Sequence, residues 1–197
     1  MNMKPAASPA WIVISIILLA ILGINTVTGE TTPDSPTQNA TAGTEYQREA
    51  FPHWSDLDGD GCGAREETLT RDVVETGNNA SECSPTTGLW VSPYDNKEIT
   101  KSSEIDIDHI VPLKEAWLSG ADQWSEEQRE EFANDPENLL AVSAGSNRSK
   151  GAQDPSTWMP PAQEYRCTYA QQWVQVKEKY ELSIDAAEQK KLENACG

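Results

Sequence analysis

The stretch "SEIDIDHIVPLKEAW", residues 103–117, decides the fold that we predict for this chain. It places Asp106 and Asp108 two residues apart in an apolar run and follows them with His109 and an Ile-Val-Pro turn. Alternate residues of a β-strand point to the same side of the sheet, so the two carboxylates share one side. Burying a carboxylate is costly unless it is paired or holds a metal. The stretch therefore predicts a strand that ends at a polar site.

Two elements downstream complete the pattern. The segment "NLLAVSA", residues 138–144, predicts a short buried strand, because a brief apolar run between polar segments is typical of one. Residues 145–161 predict a loop and a short helix that presents Asn147. A strand ending in Asp-His, a second strand and a short helix would bring one metal ion and one histidine to the same phosphodiester.

The flanking segments predict further elements of an α+β fold. Ser125 and Gln128 form a capping-box signal, which marks the start of a helix. Asp95 and Asn96 mark the turn between two short β-like runs. The predicted elements are a hairpin at residues 88–100, a helical insert in two pieces at 113–135, and C-terminal helices at 162–180 and 183–195.

The blocks "DIDHIVPL", "NLLAVS" and "SNRSKG" resemble the HNH, or ββα-metal, endonucleases, including the HNH domain of the RNA-guided CRISPR nucleases. They are more similar to exported bacterial proteins that resemble the C-terminal domain of GmrSD-type restriction enzymes. That likeness also includes "DGDGC", "EAWLSGADQW", "FANDPENLLAVS", "WMPP" and "YRCTYAQQWVQVK", so it covers most of residues 54–196. It implies an HNH core with a helical insert, an N-terminal hairpin and C-terminal helices.

The resemblance also implies a role for each polar residue of the core. His109 would be the general base, with a neutral imidazole that takes a proton from the attacking water. Asp108 and Asn147 would hold one Mg²⁺ or Mn²⁺ ion through oxygen atoms, the ligands that these hard cations prefer.

Three further assignments follow from the same resemblance. Asp106 would be either a second carboxylate at the metal or a hydrogen-bond partner of the metal ligands. Asn138, grouped with the catalytic residues, would hold the loop through hydrogen bonds to backbone. Lys150, one turn past Asn147, would meet a phosphate or lie on the solvated surface.

The segment "DLDGDGCGAREE", residues 56–67, contains a second candidate site. It matches the calcium-loop template D-x-D-x-D-G-x₅-E. Position eight of the loop is Gly63 instead of the usual β-branched residue, and no helix is predicted before the loop. A calcium site and a plain turn pinned by Cys62 are therefore evenly balanced. The template positions are Asp56, Asp58, Asp60, Gly61 and Glu67.

Four cysteines suit an exported protein whose thiols become oxidised. They allow three pairings. We favour Cys62 with Cys83 and Cys167 with Cys196, because each bond closes a local loop. The sequence has no CxxC pair to support a zinc site.

The N-terminal region predicts export. Residues 11–24 form an apolar run after Lys4, and small residues follow it, as in a signal peptide. We assign residues 1–29 to a signal peptide or membrane anchor, 30–44 to a flexible linker, and 45–197 to the nuclease domain. The protein would then be secreted or held at the outer face of the membrane, which it would contact only through an uncleaved N-terminal segment.

The chain has a large negative net charge, which would repel the phosphates of a nucleic-acid substrate. The formal net charge is −17, and residues 45–197 carry 14 Lys and Arg against 30 Asp and Glu. That balance has the wrong sign for a protein held to nucleic acid mainly by phosphate contacts. An acidic solvated surface keeps a secreted protein soluble and still allows a local site whose field is set by a metal ion.

Together these features predict an exported, monomeric, metal-dependent endonuclease that hydrolyses phosphodiester bonds, in DNA rather than RNA. The alternative is a non-catalytic, calcium-binding extracellular module that has kept the HNH-like fold. The intact set of Asp108, His109 and Asn147 favours the enzyme.

Overall fold

The computed structural model describes residues 45–77 and 83–197. The signal peptide or anchor predicted at residues 1–29 and the linker predicted at 30–44 lie outside the described residues. Within the two described ranges, no helix is long and apolar enough to span a membrane.

The described residues form five strands and six α-helices. The strands are β1 (Glu75–Thr76), β2 (Thr87–Val91), β3 (Glu98–Lys101), β4 (Ile105–His109) and β5 (Leu139–Ser143). The helices are α1 (Ala64–Asp72), α2 (Leu113–Ser119), α3 (Glu126–Asn134), α4 (Ala144–Lys150), α5 (Arg166–Lys179) and α6 (Ala186–Glu193). Short 3₁₀ turns lie at Arg48–Ala50, Ser102–Glu104, Ala121–Gln123 and Gln163–Tyr165.

Strands β4 and β5 pair antiparallel, and α4 follows β5 directly. The register sets Asp108 opposite Leu140 and His109 opposite Leu139. Helix α4 begins at a Ser143 cap, whose Oγ accepts a hydrogen bond from the backbone N–H of Ser146 at 3.2 Å. The predicted order of strand, helical insert, strand and short helix is confirmed, as is the α+β class.

The two faces of β4 have different partners. Ile105 and Ile107 join a small apolar cluster that includes Leu69 of α1 and Trp90 of β2. Burying each isoleucine contributes about 1.5–3 kcal/mol, which holds the strand pair against α1. The aspartates that alternate with these isoleucines point the other way, toward α4. The alternation along β4 thus separates the two aspartates from the isoleucines and leaves His109, at the end of the strand, on the isoleucine side.

The predicted hairpin is confirmed as β2 and β3. Trp90 pairs with Ile99 across it. Asn96 has a φ of +58°, a conformation that asparagine tolerates in turns, and the backbone N–H of Ser92 donates to the carbonyl of Lys97 at 2.9 Å. The short strand β1, which was not predicted, adds a third strand to this sheet.

The helical insert and the C-terminal helices surround the larger apolar cluster, which includes Trp117, Phe132, Tyr169 and Trp173. The insert consists of α2 and α3, as predicted. The predicted capping box of α3 is present, with Ser125 and Gln128 bonded reciprocally.

Both favoured disulfides are confirmed. Cys62 bonds Cys83 with a Cα–Cα distance of 5.3 Å, and Cys167 bonds Cys196 with a Cα–Cα distance of 4.4 Å. The first bond ties the aspartate-rich loop to the segment before β2, and the second ties α5 to the segment after α6.

Candidate functional site

Asp108, at the end of β4, is 5% exposed and has its carboxylate held by two side chains. Lys150 of α4 places its Nζ 3.0 Å from Oδ1 and 2.8 Å from Oδ2. The hydroxyl of Tyr94 donates to Oδ2 at 2.7 Å. Burial raises the pKa of Asp108, while Lys150 and Tyr94 act against that rise.

The position of Lys150 corrects the prediction that it meets a phosphate or lies on the solvated surface. Its side chain is 0% exposed, and its ammonium also donates to the carbonyl of His109 at 2.7 Å. The last turn of α4 directs position 150 back onto β4, where the buried carboxylate of Asp108 needs a positive partner. The same burial lowers the pKa of Lys150, and the carboxylate opposes that shift.

His109 is 6% exposed, and its Nε2 lies 2.8 Å from the backbone carbonyl of Ala133 at the end of α3. A carbonyl oxygen can only accept, so Nε2 carries the proton and Nδ1 is the nitrogen that can take one up. Burial lowers the pKa of His109 to about 3, and the bond to Ala133 opposes that shift. The imidazole is therefore neutral at pH 7, which is the state that a general base requires.

Asp106 and Asn147 form a second pair beside the first. The side-chain Nδ2 of Asn147 donates to Oδ2 of Asp106 at 3.1 Å, and Arg148 approaches the same oxygen at 3.8 Å. Helix α4 thus brings Asn147 over Asp106 and Lys150 over Asp108, which lie on the same side of β4.

Asn138 holds the loop after β4, as predicted. Its Oδ1 accepts from the N–H of Val111 at 2.9 Å, and its Nδ2 donates to the carbonyl of the same residue at 3.3 Å. The carbonyl of Asn138 also accepts from Ile110 at 2.8 Å. Asn138 is fully buried, and both of its side-chain bonds go to the backbone of this loop.

A cavity of about 400 Å³ opens beside these residues. Its walls bring together residues of the predicted site and three basic residues that the sequence analysis did not identify. Arg48 and Lys114 each stand beside a glutamate, and Arg148 lies in the block "SNRSKG", where the sequence analysis gave it no role. The functional groups in its wall are Asp108, His109, Asn147, Arg48, Lys114 and Arg148.

The donor atoms at this cavity suit a hard divalent cation. Asp106 and Asp108 offer carboxylate oxygens and Asn147 an amide oxygen, the donor types that bind Mg²⁺ or Mn²⁺. The ammonium of Lys150 already lies on both oxygens of Asp108, so the structure itself places a positive charge there. The donor types therefore fit the predicted ion, but at Asp108 the ion would have to displace the Lys150 ammonium.

Trp54 is a further site residue that the sequence analysis missed. The centroids of the Trp54 ring and of the His109 imidazole are 5.7 Å apart. Trp54 has a φ of +68°, a conformation that is rare for a bulky residue. No pattern in "FPHW" indicates this contact, because it is made between segments 55 residues apart in the chain.

The aspartate-rich loop turns tightly before α1. Asp56 accepts from the N–H groups of Gly59 at 2.8 Å and Gly61 at 2.9 Å. Ligand oxygens of Asp56, Asp58 and Asp60 all lie within 4.8 Å of one another. Burial raises the pKa of Glu67, and the three aspartates add to that rise. Three of the four template carboxylates thus lie together without Glu67, and calcium binding there stays a prediction.

Comparison with known proteins agrees with the predicted resemblance. The family model for the C-terminal domain of GmrSD restriction endonucleases matches residues 66–195. A protein of Arthroderma benhamiae described as an uncharacterized secreted protein is 46% identical over 149 residues, covering 75% of this chain and 72% of that protein. No solved structure matches the chain. The chain therefore belongs to the family of GmrSD restriction endonuclease C-terminal domains.

Proposed function

We propose that this protein is an exported, metal-dependent endonuclease of the HNH type that hydrolyses phosphodiester bonds of nucleic acid, with DNA as the preferred substrate. The observation that carries the proposal is the geometry of His109. Its Nε2 is fixed on the Ala133 carbonyl, its Nδ1 can accept a proton, and it lines the same cavity as Asp108 and Asn147.

In this mechanism His109 takes the proton of the attacking water at Nδ1. Burial keeps the imidazole unprotonated before the reaction, but a pKa of about 3 also makes it a weak proton acceptor, so proton uptake depends on the bond from Nε2 to the Ala133 carbonyl, which stabilises the charged ring. Asp108 and Asn147, with Asp106 at the metal or beside it, would hold a Mg²⁺ or Mn²⁺ ion. Such an ion supplies positive charge to the phosphate and to the leaving 3′-oxygen.

Asp108 depends on two residues for its orientation. Tyr94 and Lys150 are both buried and both contact its carboxylate, so they fix the direction of the oxygen atoms before any ligand arrives. An ion that binds here would meet a carboxylate of fixed direction, but it would have to displace the Lys150 ammonium from that carboxylate.

Export is supported by the bonded cysteines and by the relative. All four cysteines are in disulfides, which persist in oxidising compartments. The similar protein of Arthroderma benhamiae is described as secreted. We propose secretion through the signal peptide predicted at residues 1–29.

The function is tested by incubating the purified oxidised protein with supercoiled plasmid, with single-stranded DNA and, separately, with RNA. We expect cleavage with Mg²⁺ or Mn²⁺, none with EDTA, and strongly reduced cleavage by His109→Ala in the same preparation. Plasmid, single-stranded DNA and RNA that all stay intact with every divalent metal tested would contradict the proposal.

The second candidate function, a calcium-binding extracellular module, is favoured by the aspartate cluster of the loop before α1. It predicts binding of Ca²⁺ without hydrolysis. Calcium titration of the parent protein and of Asp58→Ala, beside the plasmid assay, separates a calcium module from a nuclease that also binds calcium.

A further inference from the structure

The cavity beside His109 has a local charge opposite to that of the chain. Arg48 comes from a 3₁₀ turn, Lys114 from α2 and Arg148 from α4, and all three line its wall. Asp108 in that wall is paired with Lys150, and Asp106 beside it lies 3.8 Å from Arg148, so four basic groups face two acidic ones at this place. Residues 45–197 carry 14 basic and 30 acidic residues, so three of the 14 converge on one place in an acidic protein.

We propose that the substrate enters this cavity as a single nucleic-acid strand held through about three phosphates by Arg48, Lys114 and Arg148. This inference rests on the proposed nuclease function and specifies its substrate. The three side chains are exposed and reach the cavity from separate elements, so they can follow a strand past His109. Arg148 also approaches Asp106 at 3.8 Å, which directs its guanidinium toward the candidate metal ligands.

A duplex suits this surface less well than a single strand. B-form DNA carries one negative charge per about 1.7 Å of helix axis, so a bound duplex sets many phosphates against the protein. Outside the cavity, those phosphates would face a surface in which acidic residues outnumber basic ones. The cavity volume of about 400 Å³ lies at the small end of ligand pockets and suits one or two nucleotides.

The test measures binding apart from cleavage. The parent protein in EDTA is titrated against a labelled DNA strand of about 12 nucleotides, as a single strand and as a duplex, between about 50 and 200 mM salt. We expect tighter binding of the single strand. The slope of log K against log salt should be about −2, because each of three phosphates contributes about 0.7 on a single strand.

Charge-neutral variants assign the contacts. Arg48→Gln, Lys114→Gln and Arg148→Gln should each reduce the steepness of the slope by about 0.7. Lys190→Gln, an exposed lysine on α6 away from the cavity, is the matched control and should leave the slope unchanged. Tighter duplex binding, or an unchanged slope in all three variants, overturns the inference.

Parallel cleavage assays keep this inference separate from the proposed function. If the protein cleaves DNA with a divalent metal, but the slope of log K against log salt is the same in the three Gln variants, the proposed function holds and the inference about the strand is overturned. Strand binding that depends on them, without cleavage under any divalent metal, supports the inference about the strand and overturns the proposed nuclease.

A different observation concerns how His109 is held. Asn134, the last residue of α3, is 4% exposed. Its Oδ1 accepts from the N–H of Ser55 at 2.8 Å, and its Nδ2 donates to the carbonyl of Pro52 at 3.0 Å. These bonds bracket Trp54, whose positive φ costs roughly 1–2 kcal/mol and persists only where the surroundings hold it.

The end of α3 therefore holds both members of the ring pair. Ala133 binds the imidazole through its carbonyl, and Asn134 fixes the strained segment that presses Trp54 against the imidazole. We infer that Trp54 and Asn134 are positioning residues for His109, which set the direction in which Nδ1 points. This inference uses the proposed role of His109 and none of the residues that would bind the strand.

The test uses variants of Trp54 that differ in ring and backbone. Trp54→Phe keeps a ring, whereas Trp54→Gly removes the ring and relieves the positive φ. We expect Trp54→Gly and Asn134→Ala to lower kcat about 10- to 100-fold with little change in KM, and Trp54→Phe to retain most of kcat.

Imidazole NMR in EDTA gives a readout that does not need activity. The chain has two histidines, His53 and His109, so the ring signals are simple to assign. We expect Trp54→Gly and Asn134→Ala to shift or broaden the His109 signals, with Trp54→Phe close to the parent. Unchanged His109 signals and an unchanged kcat in both disruptive variants would overturn the inference, whatever their melting temperatures.

Discussion

Lys150 and Asp108 form an ion pair inside the candidate site, with the ammonium nitrogen 3.0 Å from Oδ1 and 2.8 Å from Oδ2. Neither side chain is open to bulk water, so each charge depends on the other for compensation. The ammonium lies where a divalent ion would meet the carboxylate. If the proposed ion binds Asp108, the stability of the fold and the metal affinity are linked through one lysine.

Replacing Lys150 with methionine should destabilise the protein in EDTA by about 3–5 kcal/mol, because it leaves a buried carboxylate unpaired. Mn²⁺ should then raise the melting temperature of Lys150→Met more than that of the parent, since the ion takes over the lost positive charge. Thermal unfolding with and without Mn²⁺ measures both effects. Lys190→Met is the exposed control, and equal Mn²⁺ shifts in Lys150→Met and the parent would disprove the link.

Asp108 and His109 are adjacent, but substitutions at the two positions should affect cleavage in different ways. His109→Ala removes the proton acceptor, so the rate should drop roughly 10²- to 10⁴-fold with the same metal dependence. Asp108→Asn removes a charged ligand, so activity should fall and recover partly as Mg²⁺ or Mn²⁺ is raised. Cleavage rates over a metal titration distinguish the two. A His109→Ala protein as fast as the parent at neutral pH would refute the mechanism.

Stability should fall in acid because of His109. Its folded pKa is about 3, below the ordinary value of 6.5, so the unfolded chain gains a proton first as the pH falls. The contribution of the neutral imidazole is complete above pH 6.5 and is lost between 6.5 and about 3, at about 1.4 kcal/mol per pH unit. Urea unfolding in EDTA should show a shallower pH dependence for His109→Gln. If the free energy of unfolding depends on pH equally in the parent and in His109→Gln, His109 is not the cause of the loss of stability in acid.

The aspartate-rich loop yields a calcium prediction. Asp58→Ala should lower the melting temperature in millimolar Ca²⁺ but hardly in EDTA, since a ligand that binds only the folded state stabilises it by mass action. Differential scanning fluorimetry in the two buffers is sufficient. An equal loss in both would identify the loop as a turn without a bound ion.

Local signals in the sequence predicted much of this structure. The hairpin at Asn96, the Ser125 capping box and the strand that contains Asp108 each depend on residues within a few positions of one another. Both disulfides also close local loops. In each case the physical cause lies in one short segment, so it is visible without knowledge of the fold.

The missed features depend on tertiary packing. Lys150 looked like a surface residue because nothing nearby in sequence shows that Asp108 lies under the last turn of α4. Trp54 and His109 come from distant segments that both contact the end of α3, and the three basic residues belong to three separate elements. Contacts of this kind become visible when the register of β4 against β5 is known.

The two disulfides also make the stability of the protein depend on the redox state of its compartment. An active nuclease in the cytoplasm would attack the genome and transcripts of its own producer. In a reducing compartment Cys62–Cys83 and Cys167–Cys196 do not persist, and each bond is worth roughly 3 kcal/mol to the folded state in the loop-entropy model. Loss of both removes a large share of the 5–15 kcal/mol typical of a folded domain. For the exported nuclease that we propose, both bonds would form only after export, so the fold would reach its full stability outside the cell that makes it.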